Sequence, residues 1–164
     1  MASESGFRVV RAGAADVEDF LRLRSALFQE VGHTTQPILG SALEAPTRER
    51  FARGVGSGAL CVWIARAEGG EALGTIAMHV RELLPTPANP RGDEGYVVSV
   101  YTRPAWRRRG VGAALLQDLL VEARRLGLGR LRLHTSSAGR PLYRRFGFEE
   151  HADNLQLVLA EPRR

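Results

Sequence analysis

The chain has 164 residues, of which 44% are hydrophobic and 25% charged, and carries a net charge of +5. This is the make-up of one ordinary globular domain spanning 1–164, with room for a sizeable core and no apolar run near the roughly 18 residues of a membrane span. A single cysteine, Cys61, excludes an internal disulfide and a thiolate metal cluster. The start, Met1 to Phe7, has neither the cationic nor the apolar region of a secretory signal, so the expected compartment is the cytoplasm.

In chain order, the alternation over 7–12 predicts a first strand. Val17, Phe20, Leu21, Leu23, Leu27, Phe28 and Val31 recur at helical spacing and predict a helix over 16–31, stopped at Gly32. Residues 32–46 read as a loop, and a short helix is expected over 47–54. Strands follow at 60–67, where Cys61 reads as a small buried hydrophobe, and at 72–80. Glu68-Gly69-Gly70-Glu71 makes the hairpin turn between them. Residues 85–95, rich in proline and glycine, form a loop. The nearly continuous apolar run 96–101 has the pattern of a central strand covered on both faces. A loop over 102–112 leads into the clearest helix, 111–126, with Leu115, Leu116, Leu119, Leu120, Ala123 and Leu126 on one face. A strand at 131–135, a short helix at 141–146, and final strands at Phe148 and 155–159 complete the order. The fold class is α/β: a mixed sheet flanked by about four helices, antiparallel at first and then parallel across the 96–135 strand-helix-strand unit.

All the basic side chains are arginine; lysine is absent. Arg103, Arg107, Arg108 and Arg109 crowd one segment, and Arg140, Arg144 and Arg145 another, which favours a polyanionic ligand. Chemistry concentrates at Arg107-Arg108-Arg109-Gly110-Val111-Gly112, where a strand ends and a long helix begins. The first N–H groups of a helix lack intrahelical partners and sit at the positive end of its dipole. Gly110 and Gly112 let a ligand approach the backbone, so the junction suits a pyrophosphate. A P-loop would need a lysine, and a dinucleotide fingerprint a third glycine; Ala113, Ala114 and Leu115 follow Gly112 instead.

Arg107-x-x-Gly110-x-Gly112, following an apolar strand, resembles the acyl-CoA signature of the GCN5-related N-acetyltransferase (GNAT) family. Leu142-Tyr143-x-x-x-Gly147-Phe148 resembles that family's second hallmark, in the right order and spacing. The resemblance implies the GNAT fold, with the central strand splayed from its neighbour by a bulge. It implies acetyl-CoA as co-substrate and no metal. The backbone of Val100 and Thr102 would bond the pantetheine arm. N–H groups over Arg108, Arg109, Gly110, Val111, Gly112 and Ala113 would hold the pyrophosphate, and arginine side chains such as Arg107 would balance the nucleotide phosphates. Ser136 stands where many members carry Asn, so Ser136 or Arg140 would make that contact.

For transfer, the acceptor amine must be neutral, the oxyanion stabilised and the thiolate protonated. A backbone N–H near Val100 would serve the oxyanion. Tyr143, with a phenol protonated at neutral pH, would be the acid. Glu94, with Asp93 beside it, is the candidate base; a solvated loop-end carboxylate and a water chain are the alternatives. The histidines at 33, 79, 134 and 151 show no metal-ligand spacing. The expected activity is N-acetyl transfer to a primary amine of a small molecule or protein. The alternative is an acyl-CoA sensor without turnover. Neither nucleic acid nor membrane is an expected partner, and a homodimer is compatible with the chain.

Overall fold

β-Branched and aromatic alternation sets a five-stranded sheet, described here for residues 6–151 and 156–159 of a computed structural model. Its strands are β1 (Phe7–Arg11), β2 (Leu60–Ala67), β3 (Ala72–Arg81), β4 (Glu94–Thr102) and β5 (Arg130–Leu133), in that spatial order. The first four pair antiparallel; β4 and β5 pair parallel. The parallel pair requires a crossover, supplied by α3 (Val111–Arg125). The described residues fall into two compact units divided after His134. The sheet, α3, α1 (Val17–Glu30) and α2 (Glu44–Ser57) lie in the first.

Helices α1 and α2 pack on one face of the sheet and α3 on the other. On the α1 face, Phe20, Leu23, Phe51, Val62, Ile64 and Tyr101 form a buried cluster, with the rings of Phe20 and Phe51 5.0 Å apart. The α3 face buries Val111, Leu115, Leu116 and Leu119. β2 over 60–65 and β3 over 72–78 are buried on both sides, as their largely apolar runs require. Cys61 is part of this core; burial pushes its thiol up and leaves it unreactive at neutral pH.

Two elements depart from the expected boundaries for identifiable reasons. α2 starts at Glu44, three residues before the expected start at 47, because Pro46 falls in the first turn, where no N–H donor is needed. The Glu44 carboxylate accepts from the Gly40 N–H at 2.7 Å and from Arg48 Nε at 2.8 Å, fixing that start. β4 begins at Glu94 rather than 96 because β5 pairs it from there, Glu94 opposite Arg130.

The second unit contains α4 (Arg140–Arg145). Its end explains the spacing of the Tyr-Gly-Phe motif. Gly147 takes φ +87°, its N–H bonds the Arg144 carbonyl at 3.0 Å, and the Phe148 N–H reaches back to the Tyr143 carbonyl at 3.1 Å. This is a Schellman stop, with the accompanying apolar contact made by the Phe148 and Tyr143 rings, 5.7 Å apart. Phe148 therefore closes a helix and does not begin the expected strand. Residues 156–159 are also outside any strand, and Leu155 lies outside the described residues.

Candidate active site

The site begins with an irregularity in β4. Thr75 stands opposite Tyr101 and Ala77 opposite Val98, so one residue of β3 faces two of β4. The extra residue is a bulge at Ser99, whose φ of 54° is unusual for a residue with a side chain. On its other side β4 pairs with β5 only from Glu94 to Val97. Beyond Val97 the two strands part, and residues 98–102 of β4 have no strand partner on that edge among the described residues.

Arg103 donates its N–H to the Leu73 carbonyl of β3 at 2.8 Å. Strand alternation then turns the backbone of Thr102 and Val100 to the open edge. There the Thr102 carbonyl accepts from Arg107 Nε at 2.9 Å. The Val100 amide and carbonyl and the Thr102 N–H face that edge, where no strand pairs with them among the described residues, as an added extended segment requires.

The start of α3 lies beside this edge. Arg108 takes φ 62° and Gly110 φ 84°, two left-handed turns that swing the chain from β4 into the helix. No side chain caps α3. The first intrahelical bond runs from the Ala114 N–H to the Gly110 carbonyl, which leaves the N–H groups of Val111, Gly112 and Ala113 without helical acceptors. Gly74 of β3 allows the close approach: a Cβ there would lie 2.7 Å from the Tyr101 carbonyl and 3.2 Å from Val111.

The arginines divide by role. Arg107 is committed to the scaffold, bonding Thr102 and pairing with Glu30 of α1 at 2.5 Å. Arg109 stacks on Trp106 at 4.3 Å. Neither Arg108 nor Arg109 has a carboxylate within 4.0 Å among the described residues, and both are exposed. An open backbone edge, uncapped N–H groups and free guanidiniums together fit a long ligand that is extended at one end and polyanionic at the other.

In the second unit, Ser136 accepts from the Gly139 N–H at 3.3 Å. Arg140 pairs with Glu150 at 3.4 Å. Tyr143 is buried, and burial pushes its phenol up to about 12.

Glu94 differs most from its reading as a solvated loop-end carboxylate. It is the first residue of β4, 3% exposed. Its oxygens lie 2.7 Å from Arg130 Nε, 3.5 Å from Arg132 Nε and 3.8 Å from Arg81 Nη1. These ion-pair contacts engage both carboxylate oxygens. Its position secures the parallel start of β5.

Two residues went unsingled in the sequence. Arg24 of α1 hydrogen-bonds the Ser99 hydroxyl at the bulge and lies 4.5 Å over the Phe28 ring. In the sequence it is one arginine among many on a helix with an apolar stripe, and Ser99 is one small residue in an apolar strand. The signal was weak but present: Ser99 is the one polar residue inside the run 96–101.

Proteins of known family resemble this chain over most of its length. Residues 21–148 match the Acetyltransferase (GNAT) family. A Trypanosoma brucei brucei protein named glucosamine 6-phosphate N-acetyltransferase is 26% identical over 139 residues, 82% of this chain and 88% of its own. The crystal structure of a predicted acetyltransferase with acetyl-CoA from Clostridium acetobutylicum superposes with TM-score 0.83 at 25% identity, covering 93% of this chain and 96% of that one. A GCN5-related N-acetyltransferase from Ralstonia eutropha superposes with TM-score 0.81 at 28% identity, covering 94% and 100%. The chain belongs to the GNAT acetyltransferase family, with its mixed five-stranded sheet and four helices.

Proposed function

We propose that the protein is an N-acetyltransferase that moves an acetyl group from acetyl-CoA directly to a primary amine of a small molecule or protein. The observation that carries this reading is the combination of the open β4 edge beyond Val97 with the uncapped start of α3. Val100 and Thr102 would hold the pantetheine arm by their backbone. N–H groups over Arg108, Arg109, Gly110, Val111, Gly112 and Ala113 would cradle the pyrophosphate, with Arg108 and Arg109 adding charge. Ser136 and Arg140 remain candidates for the nucleotide end. Bound there, acetyl-CoA would supply an activated acetyl thioester.

The chain's own part is positional and protonic. A backbone N–H near Val100 stabilises negative charge on the acetyl oxygen as the amine adds. Tyr143 gives its proton to the departing sulfur; a phenol with a pKa raised to about 12 is protonated at any working pH. Glu94 is set aside as the base, since its oxygens are engaged by arginines. The amine proton then leaves through solvent at the splayed edge. The test is a panel of amines with acetyl-CoA scored by thiol release, with glucosamine 6-phosphate, the acceptor in the Trypanosoma relative's name, included. Turnover on at least one amine, lost in Tyr143→Phe with CoA binding retained, is expected. CoA binding with no turnover on any amine would make the protein a sensor instead.

A further inference from the structure

We propose that the α1-side face of β3, β4 and β5 beside the bulge is an anion subsite, and that the acceptor amine therefore carries a phosphomonoester or a carboxylate. The inference rests on the acyl-transfer reading for the word acceptor, but the binding site stands on its own residues. The register places His79 opposite Tyr96 and Arg81 opposite Glu94 on β3 and β4, and Arg132 beside Tyr96 on β5. These side chains share one face: Arg81 lies 4.0 Å over the Tyr96 ring, and Tyr96 hydrogen-bonds His134 at the end of β5.

Charge on this face does not balance. Glu94 is the carboxylate within 4.0 Å of Arg81, Arg130 and Arg132, one anion for three cations. Arg24 adds a fourth cation from α1. Among the described residues Arg24 has no carboxylate within 4.0 Å; it bonds the Ser99 hydroxyl and lies over Phe28. Burial lowers the Arg24 pKa, the mark of a cation kept partly out of water without an ion-pair partner. Desolvation by its neighbours, and then the charges of Arg81 and Arg24, hold His79 below its usual range, so both cations act on one ring.

The face is also open and well placed. His79, Arg81 and His134 are exposed, while Ser99 marks the bulge where the acetyl group would lie. At about 3.3 Å per strand residue, Tyr96 and its neighbour His79 are roughly 10 Å from Ser99. That is the span of a small amine with an anion at its far end. A partly buried guanidinium held without a counter-ion costs stability, and an anionic ligand would supply the missing charge.

The test is equilibrium titration of the full chain, with and without saturating CoA, by ethanolamine, O-phosphoethanolamine and β-alanine. Inorganic phosphate serves as competitor. The anion-bearing amines should bind about tenfold or more tighter than ethanolamine, as charge-assisted guanidinium bonds allow, and phosphate should compete. The phosphoethanolamine and β-alanine arms tell phosphate from carboxylate. Arg24→Gln and Arg81→Gln should each reduce the preference several-fold. Arg81→Gln, at an exposed strand end, keeps the test sound if Arg24→Gln fails to fold. Equal or absent binding of the three amines, or a preference that survives both substitutions, would overturn the proposal. Loss of CoA binding alone would overturn the acyl-transfer reading and leave the amine comparison intact.

Discussion

Tyr143 is buried against Phe148, and that burial raises its phenol pKa to about 12. Two consequences follow for one residue. As an acid it does not titrate below pH ~11, so any alkaline loss of rate below that must come from another group. Tyr143→Phe should lower kcat by about 10²-fold with little change in KM for acetyl-CoA, checked by steady-state kinetics. For stability the sign runs the other way from a carboxylate. The folded pKa exceeds the ordinary value of 10.0, so the contribution is complete below pH 10 and is lost as pH rises toward 12. Wild type should therefore lose thermal stability more steeply across that window than Tyr143→Phe. Gly110 is a different case. It has no atom within 4 Å of a Cβ position, but its φ of +84° penalises any side chain. Gly110→Ala should cost about 1 kcal/mol by denaturant unfolding through backbone strain alone.

At the scale of elements, the approach of α3 to the sheet depends on Gly74, where a Cβ would meet the Tyr101 carbonyl at 2.7 Å. Gly74→Ala should destabilise the fold by about 1–3 kcal/mol and weaken CoA binding with it, because the helix start shifts from the β4 edge. The far end of α3 is tied to β1 by Glu122, which lies 3.3 Å from Arg11 and 2.7 Å from Arg125. The bond from Arg125, with Arg11 adding charge, lowers the Glu122 carboxyl to about 2. Its contribution is present above the ordinary value of 4.5 and is lost as pH falls through about 2. Thermal melts between pH 5 and pH 2 should thus decline less steeply in Glu122→Gln than in wild type. Elements of this kind were largely legible in the sequence. The α3 stripe, the β2–β3 hairpin and the glycine pair at 110 and 112 follow from local periodicity and turn chemistry. The bulge did not: the family resemblance implies one in the central strand, but its place at Ser99 follows only when β3 and β4 are paired and Arg24 holds Ser99. The burial of Glu94 was hidden for the same reason: its arginine partners come from β3 and β5, distant in sequence.

For the whole molecule, the division of labour runs between the open edge of β4 and the face that α1 leaves uncovered. In the proposed reading, the edge and the α3 start would hold a polyanionic thioester carrier, and the arginine-rich face beside the bulge would hold its acceptor. No helix among the described residues is long and apolar enough to cross a membrane. Both sites use exposed guanidiniums, so affinity for CoA should fall as ionic strength rises. The most direct measurement is calorimetric titration of CoA into wild type and into the double variant Gly110→Val, Gly112→Val. Saturable binding at a single site in wild type, weakened about tenfold or more in the variant while the fold persists by circular dichroism, is the predicted result. No heat of binding in wild type, or an affinity unchanged by the two substitutions, would contradict it.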